Sequence, residues 1–518
     1  MNLWFVVLGC SGGGTAPSVD PLPAVESKSL SGERPPDVVL ISIDTLRPDH
    51  LGVYGHTRNT SPFLDGLAAK GVRFQHARSA SPWTLPAHTT LFTGQLPTTH
   101  LVIEDDLRLA DSVPVLPERL DERGVHTAGV VSTLFVSSMY GFDRGFDHFN
   151  DFGIHDKTTN LQGVVDTVGL VDDLEAYVKG IPSGEPMFLF LHTYDVHYAY
   201  DPPAPYDTMF DRAPTAADGD YRSYFYYKRN PLDREQLEHQ LAQYDESIRY
   251  VDDQLARLDR VFRDAGREVR WVVTADHGEE FGERGAWGHA HTLYAEQLRV
   301  PLIVSGPGIP EGVVVEEAVG THDIAPTLAA WAGIELPHVD GIDLNPYLSG
   351  ETPAPARPFL AETSRHATMR LGLWEAGKRL DWDLNSGKRA IFADSTENAP
   401  TAEDPTAMGE RLVELLGGHW GVGEPGAIAV RKGRVLMGSQ ARARVKVEGG
   451  ERFSVYPFDA PVRFIPEGRK PGRAMAAAGG RRPVGALSFN GLIRPVDVDL
   501  DAETKAALES IGYIHDEE

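Results

Sequence analysis

Residues 276–280 read Asp-His-Gly-Glu-Glu and follow directly on the apolar run WVVTA at 271–275. A carboxylate and an imidazole side by side can grip one hard-to-borderline cation, and Gly278 lets the backbone turn closely around it. The same segment continues to Trp287-Gly288-His289-Ala290-His291. Adjacent Asp-His pairs also occur outside any site, but the pair followed by two more histidines is harder to explain that way. Asp44 ends another apolar run, VVLISI at 38–43. A carboxylate in that position is either a helix cap or a ligand. His192-Thr193-Tyr194-Asp195-Val196-His197 follows a third run, MFLFL at 187–191. One such histidine could be a satisfied core group; two with an aspartate favour a polar site. Thr84 lies in SPWTLPAHTTLFTG at 81–94. Thr with Pro two residues later is an ordinary N-cap arrangement. A helix N-terminus also turns free N–H groups and a positive dipole toward an anion, and a metal-bound hydroxyl there would be a nucleophile. The residue types leave both open.

Continuous, partly β-branched runs of this kind suit strands buried on both faces of a parallel sheet. A fourth, VPLIV at 300–304, carries Pro301, which suggests a strand start or an edge position. Helical patterns lie between the runs. Residues 62–71 put Phe63, Leu64, Leu67 and Ala68 on one face before a glycine stop. Leu241, Tyr244, Ile248, Val251, Leu255 and Leu258 form a longer stripe at alternating spacings of three and four. Strands alternating with helices predict an α/β fold with a large, doubly wound, mostly parallel sheet. Ligands of such sheets bind beyond the carboxyl ends of the strands, where Asp44, His192 and Asp276-His277 all fall. After about residue 355, short strand-like pieces at 427–430, 434–437 and 452–456 alternate with Gly-rich turns, which predicts a smaller antiparallel sheet. Residues 464–485, basic and rich in Gly, Pro and Ala, read as an exposed loop.

With 518 residues the chain has room for a large domain and a smaller one. Its 49 Lys and Arg against 75 Asp and Glu leave a net charge of −26, which repels a phosphate backbone and argues against nucleic-acid binding. The single cysteine, Cys10, rules out an intrachain disulfide and a cysteine-based zinc site.

The motifs together resemble the sulfatase branch of the alkaline-phosphatase superfamily. The matching pieces are residues 41–55 (ISIDTLRPDHLGVYG), 61–74, 84–94, 190–203, 274–291 with 293–304, 319–327 and 340–342, ending with Leu508 and Ile511-Gly512-Tyr513. The resemblance implies an alkaline-phosphatase-like catalytic domain at 37–355 and a smaller C-terminal α+β subdomain at 356–518. It implies Asp44, Asp276 and His277 as metal ligands, with Thr84 bridging metal and substrate. His197 and His289 would serve catalysis at the transferred group or leaving oxygen; His88, His192, Asp195 and His291 would line the substrate, and His197, Asp195 and His289 are the candidates for an optional second metal.

Two departures bear on the chemistry. Sulfatases carry Cys or Ser in a Cys-x-Pro-x-Arg motif that becomes formylglycine, whereas residues 84–88 read Thr-Leu-Pro-Ala-His. Thr cannot form that aldehyde, so no formylglycine is expected. Thr-x-Pro-x-His is instead similar to nucleotide pyrophosphatase/phosphodiesterases. Typical sulfatases hold calcium with paired Asp and an Asp-Asn; here Asp44-Thr45 and Asp276-His277 stand in those places, and an imidazole favours zinc or manganese. The expected activity is hydrolysis of sulfate or phosphate esters of small molecules, glycans or lipid head groups, with phosphoesters and diesters ahead of sulfates. A head-group transferase and a non-catalytic binding protein of the same fold are the alternatives.

Residues 3–10 form a short apolar run ending in Gly9-Cys10, followed by a Gly/Ser/Pro-rich stretch to residue 36 that reads as a tether. This resembles a bacterial lipoprotein signal, although no Lys or Arg precedes the run. The expected location is the bacterial cell envelope, as a periplasm-facing or surface lipoprotein anchored through Cys10. Cys10 is then expected to be lipidated and the protein to fractionate with membranes. An intact Met1 on soluble protein, seen by mass spectrometry, would reject this.

Overall fold

A computed structural model describes residues 28–416 apart from 31, 155–164, 183, 212–230, 366–369, 384–387, 395–396 and 398, and, beyond 416, residues 420–421, 430–431, 434–435, 443–447, 452–455, 462–463, 473–478, 482–488, 496–498 and 504. The signal-like segment at 3–10, most of the tether and the 508–513 motif lie outside these residues.

The apolar runs are strands of one nine-stranded sheet. In chain order these are β1 (Asp37–Ile43), β2 (Gly71–Arg78), β3 (His126–Val131), β4 (His148–Asn150), β5 (Met187–Thr193), β6 (Val269–Thr274), β7 (Arg299–Val300), β8 (Leu302–Ser305) and β9 (Val313–Gly320). Their spatial order is β7-β2-β8-β6-β1-β5-β3-β4, with β9 on β2. β1 lies between β5 and β6 and is parallel to both, so Ile43, Thr193 and Thr274 end at one edge. Only β7 and β8 run antiparallel to their neighbours. Every residue of β1 and β5 is buried, as their unbroken apolar runs require when both faces are covered. Pro301 falls between β7 and β8, immediately before a strand start, where its missing N–H breaks no ladder.

Four helices matter to the site. α1 (Pro62–Ala69) buries Leu64 and Ala68, and α2 (Thr84–Thr93) is buried throughout. α3 (Thr167–Gly180) begins after the cap Asp166. α4 (Arg234–Asp264) carries the 3-and-4 stripe but is far longer than the stripe, starting at a capping box of Asp233 and Gln236. Asp252 of α4 accepts from the N–H groups of Phe63 and Leu64 (2.8 and 2.9 Å), so one long helix caps the start of a short one.

A second, four-stranded antiparallel meander follows: β10 (Phe359–Thr363), β11 (Arg370–Glu375), β12 (Lys378–Asp383) and β13 (Arg389–Ala393). It has its own apolar cluster, including Leu360, Leu371, Leu373, Leu380 and Ile391. Two bonds tie its first strand to the main sheet's loops, Glu362 N–H to Ala80 O (3.0 Å) and Thr363 Oγ1 to Ala290 O (2.6 Å). Further on, Arg452–Val455, Ala443–Val447, Arg473–Ala478 and Arg482–Ser488 form another antiparallel sheet. Residues 464–485 are therefore not simply a loop: 473–478 pairs with 482–488. Runs of Ala and Gly carry no period-two contrast between faces, so the pairing leaves no apolar pattern in the sequence.

Candidate active site

The sheet edge brings together residues that are far apart in the chain. Ligand atoms of Asp44, Asp276 and His277 lie within 4.8 Å of one another, and all three side chains are buried. Asp44 leaves β1 into Thr45, which holds a left-handed φ of +57°, a conformation a β-branched residue adopts only under outside constraint. That constraint is visible: Thr45 N–H donates to Asp276 Oδ1 (3.3 Å) and its hydroxyl to Val196 O (3.1 Å). His277 donates from Nδ1 to Gly278 O (3.0 Å), which leaves the Nε2 lone pair facing inward. That atom is 3.4 Å from Asp276 Oδ2, 3.8 Å from Asp44 Oδ1 and 3.4 Å from Thr84 Oγ1. Gly278 is required here, because a Cβ would come within 2.2 Å of Glu296 O.

Both carboxylate oxygens of Asp44, Asp276 Oδ2 and both ring nitrogens of His192 are buried without a hydrogen-bond partner. Buried polar groups are ordinarily paired, and buried charges more strictly so. Burial, and then the neighbouring Asp276 carboxylate, push the Asp44 carboxyl well above its usual range. Acceptor lone pairs on Asp44, Asp276 and His277 converge with no Lys or Arg among the described residues paired to them, which suits a divalent cation. Two carboxylate oxygens, one imidazole and the adjacent Thr84 hydroxyl suit such an ion.

Thr84 is the first residue of α2, not its cap; Trp83 holds the cap position and makes no side-chain cap bond. The hydroxyl is thus free of capping and faces the ligand cluster. His88 lies one turn further into the helix, fully buried, rather than at the mouth of the site where a substrate-lining role would put it. Its Nδ1 donates to Thr84 O (2.9 Å) and the Ser42 hydroxyl donates to its Nε2 (3.0 Å). His192 is also buried, with Nε2 3.4 Å from Asp44 Oδ2, behind the carboxylate rather than along a substrate path. Burial holds His88 near 3 and His192 near 4, so both rings are neutral.

His197 and His289 meet with ring centroids 4.9 Å apart, and His289 lies 4.4 Å from His277. Asp195 does not join them. Its carboxylate accepts from Thr167 N–H (2.7 Å) and the Thr167 hydroxyl (2.5 Å), fastening the start of α3. A second metal held by His197, Asp195 and His289 is therefore not assembled. His291 is engaged elsewhere too, with Nδ1 on His289 O (2.7 Å) and Nε2 against Glu280 (2.8 Å). The carboxylate that does face His289 is Glu279, 2.9 Å from its Nδ1. The sequence signalled it only as one of two adjacent acids after His277, with nothing to tell it from Glu280. A further grouping, His50, His56 and Asp245, is an ordinary network in which Arg58 already pairs with Asp245 (2.7 Å).

The family model described as Sulfatase matches residues 36–334. The low-salt glycan biosynthesis sulfotransferase Agl7 of Haloferax volcanii is 29% identical over 326 residues, covering 61% of this chain and 66% of that protein. Choline-sulfatase of Rhizobium meliloti is 25% identical over 82% of this chain and 93% of its own length. Among solved structures, the phosphonate monoester hydrolase of Silicibacter pomeroyi superposes with a TM-score of 0.58 at 22% identity, over 74% of this chain and 94% of that one. The likeness extends the fold match across the main sheet.

Asp195→Ala is expected to destabilise the protein by roughly 1–3 kcal/mol, by leaving Thr167 without its acceptor. Its metal content is expected to stay at the wild-type ratio, as read by urea unfolding and elemental analysis.

Proposed function

The chain belongs to the sulfatase family of ester hydrolases, and from that premise we propose that it cleaves phosphate esters, diesters in particular, in preference to sulfates, with Thr84 as nucleophile. The observation that carries this reading is the uncapped Thr84 hydroxyl, 3.4 Å from His277 Nε2 beside the unpaired oxygens of Asp44 and Asp276 Oδ2. Asp44, Asp276, His277 and Thr84 would hold a divalent cation. Such an ion would neutralise the carboxylates, draw in the ester anion and make the Thr84 hydroxyl acidic enough to react.

Thr84 Oγ1, its proton passing to solvent, bonds to phosphorus in line with the leaving oxygen, which departs with the electron pair and takes a proton from His289. Water then attacks phosphorus from the vacated side, the bond from phosphorus to Oγ1 breaks, Thr84 takes the proton that water loses, and solvent returns a proton to His289. The preference follows from that second step. A formylglycine hydrate expels sulfate by breaking a carbon–oxygen bond, which a simple alcohol cannot do. A sulfated Thr84 would have to be hydrolysed at sulfur, whereas a phosphorylated Thr84 is open to in-line attack at phosphorus. The kinship with a named sulfotransferase favours a second reading, in which an acceptor alcohol replaces water in that step. Added glycan or alcohol appearing in the product would mark it. A binding protein that lost its chemistry is disfavoured by the complete ligand set.

Purified protein is expected to carry zinc or manganese ahead of calcium, because of His277, and Asp276→Asn to lose most of it, as measured by elemental analysis. With metal restored, phosphate diesters are expected to turn over at least about tenfold faster than aryl sulfates, about 1.4 kcal/mol of barrier. Thr84→Ala is expected to abolish nearly all of that activity without altering the circular dichroism. Efficient, Thr84-dependent multiple turnover of an aryl sulfate would overturn the preference.

A further inference from the structure

Glu279 is a fully buried carboxylate that the scheme above does not use. Its position follows from a short hairpin. Glu280 pairs with Gly288 and Phe281 with Trp287 in an antiparallel ladder, so Glu279 stands opposite His289 across the two strands. Gly282 and Gly285 make the return possible with φ of +94° and +71°. Glu279 Oε1 lies 2.9 Å from His289 Nδ1, and Oε2 accepts from the Tyr200 hydroxyl at 2.7 Å. The Glu279 backbone is fixed as well, since Arg47 donates to its carbonyl at 2.9 Å. The cost of burying a carboxylate here is offset by two specific donors, one of them the ring that faces the ligand cluster.

We propose that Tyr200, Glu279 and His289 act as a unit in which Glu279 is the positioning residue. It accepts a hydrogen bond from His289 Nδ1–H and fixes the ring so that Nε2 faces the leaving oxygen. The proposal rests on the reading of His289 as proton donor. In the step itself the bond from phosphorus to the leaving oxygen breaks, the electron pair goes with that oxygen, and the Nε2 proton passes to it. The Nδ1 proton stays between His289 and Glu279 throughout. Tyr200 holds the second oxygen so that the carboxylate does not rotate away. Esters with acidic leaving alcohols need little of this help and poor leaving groups need most of it.

The test is the dependence of kcat/KM on leaving-group acidity, measured with metal-reconstituted protein and a series of aryl phosphate esters from 4-nitrophenyl to phenyl. Glu279→Gln keeps the shape and removes the charge. It is expected to lose at least tenfold more activity on the phenyl ester than on the 4-nitrophenyl ester, with Tyr200→Phe shifting the slope less in the same direction. His289→Asn is expected to steepen the slope equally, and adding Glu279→Gln to it is expected to cost nothing more on the phenyl ester. A uniform loss across the series for Glu279→Gln, with His289→Asn steep, would make Glu279 a merely structural group and end the proposal. A flat His289→Asn slope would instead remove His289 as the donor. The positioning is then read directly: the His289 Nδ1 proton is expected as a downfield resonance that moves upfield in Glu279→Gln and Tyr200→Phe. An unchanged resonance in Glu279→Gln would overturn the pairing.

Discussion

Two buried carboxylates, Asp44 and Asp276, are brought within a few ångströms of each other at the end of adjacent parallel strands, and much of the local structure answers to that. Like charges in a dry interior repel, and each carboxylate prefers water. The chain does not relieve this by inserting a Lys or Arg between them. It surrounds them with imidazoles, His277 and the neutral His192 and His88, and leaves the Asp44 oxygens unpaired. The left-handed Thr45, the glycine after His277 and the His277 tautomer all point lone pairs at one spot. Lone pairs gathered in this way suit a cation.

The main fold was legible because doubly covered strands have to be apolar along their whole length. The runs at 38–43, 187–191 and 271–275 stand out for that reason, and the residues that end them fall at one edge because β1, β5 and β6 are parallel neighbours. The grouping of Asp44, Asp276 and His277 was legible through the same geometry, although sequence could not distinguish a cap from a ligand at Asp44 or Thr84. That choice depends on whether the side chain bonds to its own helix, which only coordinates reveal. The α/β class was readable, but the antiparallel insertion of β8 between β2 and β6 was not, since a buried strand has the same composition in either direction.

Less legible were the roles within the histidine clusters. His192 and His197 flank Asp195 in a six-residue segment, yet the three side chains do three different things. At a strand end successive side chains alternate in direction and then diverge into a turn, so proximity in sequence says little about a common target. Asp195 turns to Thr167, from a segment 28 positions away, while Glu279, which resembles its neighbour Glu280 in every sequence property, faces His289 because of hairpin register. Pairing of this kind is set by backbone register, which residue type alone does not encode.

Thr84 is tied to Asp44 through position as well as charge. Ser42, two residues before Asp44 on β1, donates to His88, and His88 donates to the carbonyl of Thr84 itself. The strand that supplies a carboxylate therefore also fixes the first turn of the helix that supplies the hydroxyl. A displacement of β1 would move Asp44 and Thr84 together. The sequence pattern Thr-x-Pro-x-His acquires a physical meaning from this. The histidine sits under the threonine at the helical i, i+4 spacing, with Nδ1 3.7 Å from Asp276 Oδ2. The carbonyl of Thr84 is thereby fixed from beneath by a residue of its own helix, and that residue by the strand that carries Asp44.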